Sequence, residues 1–112
     1  MNINNLCKAG YKKSSGDFKN KYCTGLYQKA IKDNNGKSLY WINIYYYKYP
    51  VSLGITEACG VGVQFYINAG IELEKPINVE FDISDRFSFV DCEKLLAEMY
   101  EKLGCIPDPH NE

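Results

Sequence analysis

Histidine and arginine are almost missing from this chain. Each occurs once in 112 residues, as His110 and Arg86. A catalytic base must be held by its surroundings within reach of a substrate. His110 lies in the polar stretch PDPHNE and reads as a solvated residue, so Cys–His and Ser–His–Asp arrangements have no base. With a single arginine the chain is also poor in the side chain that best makes bidentate contacts to phosphates and bases.

Other absences narrow the field further. No apolar run approaches the ~18 residues of a membrane span. The opening MNINNLCKAGYKK has no apolar core of a signal peptide, which leads us to expect a cytoplasmic protein. The five cysteines, Cys7, Cys23, Cys59, Cys92 and Cys105, show no C-x-x-C spacing and read as reduced, mostly buried thiols. No metal site and no cofactor are expected. Gly60-Val61-Gly62 lacks the third glycine of a dinucleotide fingerprint, and no P-loop pattern occurs. Cys59, between small residues, reads as a buried cysteine rather than a nucleophile. No internal repeat is visible. The chain is expected to be no enzyme.

What remains is ordinary in bulk and uneven in distribution. A length of 112 residues implies one domain, 1–112, able to bury a core without staples. Residues 1–56 carry nine lysines against two acids, a net of +7. Residues 57–112 carry four basic residues against twelve acidic ones, a net of −8. Such asymmetry implies either interaction surfaces of opposite sign or two halves that dock on one another.

The stretch YWINIYYYKYP, Tyr40 to Pro50, holds five of the ten tyrosines and the only tryptophan. It follows KDNNGKS, where Asn35-Gly36 predicts a two-residue type I′ hairpin turn. That turn pairs Ile31 with Tyr40, Lys29 with Ile42 and Tyr27 with Ile44 on one face. On the other it pairs Ala30 with Trp41, Gln28 with Asn43 and Leu26 with Tyr45. The first face, extended by Tyr46, is the better core candidate, with Lys29 the exception. The second carries Trp41, Tyr45 and Tyr47 around two amides, which make poor core material unless hydrogen-bonded. It reads as an aromatic, partly wet binding face, or as a face covered by the N-terminal arm or the C-terminal helix.

Residues 1–21 read as a loosely ordered basic arm, with one helical turn over Asn2–Lys8 pinned by Ile3 and Leu6. VSLGITEACGVG reads as a loop or bulged crossing. VGVQFYIN and IELEKPINVEFDI alternate with period 2 and predict a second strand pair. Glu72, Glu74, Glu80 and Asp82 share one parity of that run. Pro76 splits the run or marks an edge. A helix follows, with Ser88 as N-cap, an apolar stripe of Cys92, Leu95, Leu96, Met99 and Leu103, and Gly104 at C′. Residues 106–112 read as a tail. The sum is an α+β fold, an antiparallel sheet of about four strands with one C-terminal helix packed on a face.

The candidate partner-binding residues are Trp41, Tyr45, Tyr47, Tyr66, Glu72, Glu74, Glu80 and Asp82. Acids on a rigid sheet beside aromatic rings suit a partner protein with a basic surface. The function expected is a small non-catalytic inhibitor that neutralises a nucleic-acid-acting protein, of the toxin-immunity or anti-CRISPR (anti-defence) type. The alternative is a nucleic-acid-binding module built on Lys8, Lys12, Lys13, Lys19 and Lys21 with sheet tyrosines as stacking platforms.

Overall fold

The computed structural model describes residues 4–14, 21–50, 57–68, 74–83 and 89–109. Its order is α1 (Asn4–Lys8), β1 (Lys12–Ser14), β2 (Cys23–Lys32), β3 (Ser38–Lys48), β4 (Glu57–Asn68), β5 (Glu74–Ile83), α2 (Phe89–Lys102) and β6 (Cys105–Ile106). The fold is α+β, as the alternation of periods implies. Five strands lie in chain order, β1-β2-β3-β4-β5, each antiparallel to its neighbour, and the two-residue β6 pairs with β4. Four of the five are the expected hairpin and strand pair. The fifth, β1, falls in the stretch expected to be a loose arm.

The β2–β3 register is the predicted one, from Leu26 opposite Tyr45 to Ile31 opposite Tyr40. The turn that sets it differs. Asn35 has no positive φ, and only Gly36 (φ +82°) does so in this turn, which rules out type I′. Asp33 O accepts from Gly36 N at 3.1 Å, and Lys37 O accepts from Asp33 N at 2.9 Å. This is a type I turn followed by a left-handed glycine. The Asp33 carboxylate accepts from the backbone N–H of Asn35 at 2.8 Å and of Lys37 at 3.0 Å, which favours this turn over the alternative. The longer loop moves the register by one residue, and an irregularity between Ile31 and Lys32, where Leu39 is extra, moves it back. The two departures cancel.

The core lies on the first face. Tyr27, Tyr40, Ile42, Ile44, Cys59, Val61, Val63 and Phe65 form it with Cys92 and Leu96 of α2 and Leu6 and Tyr11 from the N-terminal segment. Tyr40, Phe65 and Tyr100 meet edge-on and tilted, at 5.0 to 5.9 Å between ring centres, where the end of α2 reaches the sheet. Both helices therefore serve this one face. Leu6 is fully buried, and Leu6 and Tyr11 are what order the arm: burying them holds α1, and β1 then pairs with Leu26–Gln28.

Two further expectations shift and one holds. β4 begins at Glu57, so the glycine-rich ACGVG is strand rather than loop. The buried stripe of α2 runs through Cys92, Leu96, Met99 and Tyr100, while Leu95 and Leu103 are exposed. Gly104 takes φ +65°, the expected left-handed stop, with Leu103 N donating to Met99 O. Ser88 and residues 1–3 lie outside the described residues.

Candidate sheet-face interface

Lys29, the charge at the centre of the hairpin's core face, is satisfied by the helix above it. Its Nζ donates to Glu93 Oε1 at 3.0 Å, and Tyr11 Oη donates to the same oxygen at 2.9 Å. Lys29 Nζ also stands 5.3 Å from the centre of the Tyr11 ring. One carboxylate oxygen thus joins the N-terminal segment, β2 and α2. Burial, then the hydrogen bond and charge of Glu93, push the Tyr11 hydroxyl far above the usual tyrosine range. Burial pushes Tyr40 up to about 12 and the Cys92 thiol up to about 11, with Glu93 adding to both.

The second face is built differently. Among the described residues neither helix lies on it, since both contribute to the core face. Trp41 is 43% exposed, whereas Ile42 beside it is fully buried. At the centre Gln28 Nε2 donates to Asn43 Oδ1 at 2.9 Å, so the amide pair meets its own needs. Tyr45 and Tyr47 are half-buried. The glycines of β4 explain part of that: a Cβ at Gly60 would stand 3.4 Å from the Tyr47 ring, so the ring lies over a position without a side chain. Here an aromatic ring itself roofs the sheet where a helix is missing.

From Tyr47 the aromatic surface continues. Tyr49 stacks on Tyr47 at 6.0 Å and 20°, Tyr22 meets Tyr49 at 5.0 Å, and Lys21 Nζ sits 5.0 Å from the Tyr22 ring centre. Tyr22 and Tyr49 were not among the expected site residues. Their signal was the hairpin register carried a few residues past the strand ends, where Lys48 N donates to Tyr22 O.

Of the expected site residues, Trp41, Tyr45 and Tyr47 share this face of β3. Tyr66 does not offer a contact surface. It is 8% exposed, opposite Pro76 on one side and Ile106 of β6 on the other. Burial, with Asp108 nearby, raises its pKa. The register places Glu80 opposite Gly62, Asp82 opposite Gly60 and Glu74 opposite Asn68, all at positions of the same face. Glu72 lies outside the described residues.

Because strands follow chain order, the charge asymmetry of the sequence becomes a spatial one. Lys12 and Lys13 stand on β1 at one edge, and the acids of β5 stand at the other. Three strands lie between these two sets. Lys8, Lys12, Lys13 and Lys21 are exposed; Lys19 lies outside the described residues. No group of three His, Cys, Asp or Glu side chains among the described residues is placed to hold a metal ion. No helix among them is long and apolar enough to cross a membrane. The chain matches no family model, no curated protein and no solved structure.

Proposed function

We propose that this protein is a small, non-catalytic inhibitor that binds a basic, nucleic-acid-acting protein in the cytoplasm through the second face of its sheet. Toxin immunity and antagonism of a defence system, as by an anti-CRISPR, are the settings that suit it. The observation that carries the reading is the half-exposed Trp41 in an aromatic row, on a face that neither described helix covers, bordered by an acidic edge strand. Tryptophan and tyrosine bring large contact area with a hydrogen-bonding tip, and such residues dominate binding energy at interfaces. Complementary charge along the edge speeds encounter with a basic surface.

The test uses adjacent residues of opposite facing. Trp41→Ala is expected to cost about 1–2 kcal/mol of stability, below the ~3–5 kcal/mol of a core aromatic truncation, yet to abolish capture of the partner from host lysate. Ile42→Ala is expected to cost about 2–5 kcal/mol and to spare capture by the fraction that stays folded. The captured protein, purified, should lose activity when the wild-type chain is added. Equal capture by wild type and Trp41→Ala overturns the reading. So does tight, steeply salt-dependent binding to bare oligonucleotide that is lost on reversing Lys8, Lys12, Lys13 and Lys21, which points to nucleic acid as the ligand.

A further inference from the structure

We infer that the outer edge of β5, from Ile77 to Ile83, accepts an extended segment of the partner as an added strand with lysine or arginine at every second position. The inference deepens the function proposed above and rests on its premise of a basic protein partner. It begins with topology. β5 ends the sheet, and among the described residues no strand pairs with its other side. Its register with β4 is unbroken from Asn68–Glu74 to Cys59–Ile83.

Pro76 shows which backbone groups face outward. In an antiparallel strand each residue directs its N–H and C=O to one side, and the next residue directs them to the other. Proline has no N–H and sits on edge strands with that position turned away from the ladder. Pro76 pairs opposite Tyr66 within the unbroken register. With Pro76 turned outward, Asn78, Glu80 and Asp82 turn their N–H and C=O outward as well. A row of unpaired backbone groups is a template for another strand.

The same three positions belong to the open face, opposite Gln64, Gly62 and Gly60. Residues directly opposite across a strand pair share a face, and opposite charges there are favourable while like charges are not. A guest strand therefore meets Glu80 and Asp82 with two of its own alternate residues, and basic ones are selected. A second copy of β5 is rejected, because antiparallel self-pairing centred on Glu80 sets acid against acid. The β1 edge offers only three residues and two lysines. Pairing therefore selects a basic strand from another protein.

The full-length chain, labelled with nitrogen-15, is titrated with a short capped peptide alternating lysine and threonine. A block isomer of the same composition and an alternating peptide N-methylated at every second residue serve as comparisons. The alternating peptide is expected to bind about tenfold tighter than the block isomer, the equivalent of about two favourable cross-strand pairs. Binding should slow amide exchange at Asn78, Glu80 and Asp82 and vanish when the peptide nitrogens facing β5 are methylated. Glu80→Lys with Asp82→Lys should remove the preference while circular dichroism stays unchanged. Trp41→Ala should leave peptide affinity within about twofold, since Trp41 is two strands away from the edge. Equal binding of both isomers, or unaltered exchange at the three amides, overturns the edge site even if Trp41-dependent partner capture stands. Peptide pairing with no Trp41-dependent capture supports the edge and overturns the proposed function instead.

Discussion

Glu93 accepts two hydrogen bonds at a single oxygen, one from Tyr11 and one from Lys29. The two donors are not equivalent. Lys29 is partly exposed and can turn to water, whereas Tyr11 is 2% exposed and cannot. Removing the acceptor is therefore worse than removing the donor. Tyr11→Phe is expected to cost about 1 kcal/mol, the net worth of one hydrogen bond, while Glu93→Ala removes the acceptor shared by a buried hydroxyl and an ammonium group and costs about 2–3 kcal/mol. Urea unfolding of the two variants checks the order; a reversed order places the stabilisation in the ion pair with Lys29. The sequence named Lys29 as the misfit of its face but held no clue to its partner. Glu93 lies on a helix, and a helix carries no residue-by-residue register with the strand beneath it.

Among the elements, the hairpin tip invites a direct substitution. Gly36 is at φ +82°, and a Cβ placed there meets nothing within 4 Å. Any penalty is then pure backbone strain, free of packing. Gly36→Val is expected to destabilise by about 1–3 kcal/mol, because a β-branched residue strongly resists positive φ. Gly36→Asn should recover most of that, since asparagine tolerates the left-handed region. Thermal melts of the pair check it; a Val variant as stable as wild type rules out the left-handed glycine. Here the sequence yielded the pairing and missed the turn, because Asn-Gly advertises a two-residue loop and the Asp33 carboxylate selects a longer one. Strand parity, the most repetitive signal, exposed the aromatic face of β3 and the acid row of β5. Glycine and polarity misled. The stretch around Gly60 reads as a loop but sits in β4, and the lysines of β1 read as a loose arm. Tyr66 was misjudged for a plainer reason: its cover, β6, is two residues long and leaves no periodic trace.

For the molecule as a whole, the buried hydroxyls and thiol set an alkaline limit. Tyr40 rises from 10.0 to about 12 and Cys92 from 9.0 to about 11 on folding. The folded chain holds these protons more tightly than the unfolded one, so their contribution is complete below pH 9. It falls as pH rises from 9 through about 12, where the unfolded state binds fewer protons. Stability is expected to decline across that window, and phenolate absorbance should show Tyr40 and Tyr11 titrating above the ordinary tyrosine range. A stability profile flat to pH 12 contradicts the burial of both groups. Tyr40→Phe with Cys92→Ala should flatten the early part of the decline.

The strict agreement of strand order with chain order also bears on how the chain finds its structure. Each of β2 to β5 joins the sheet beside the strand that precedes it, so the β2–β3 hairpin can form first and the sheet can grow by successive short closures, each small in entropic cost. The contact between Tyr11 and Glu93 departs from this pattern, spanning 82 positions along the chain. It rewards the chain only after the sheet that carries both partners is in place. The clasp that joins N-terminal segment, sheet and helix is thus the last latch to shut. Loss of its contacts should hasten unfolding and leave the rate of folding nearly untouched, a division that the two arms of a denaturant chevron report separately.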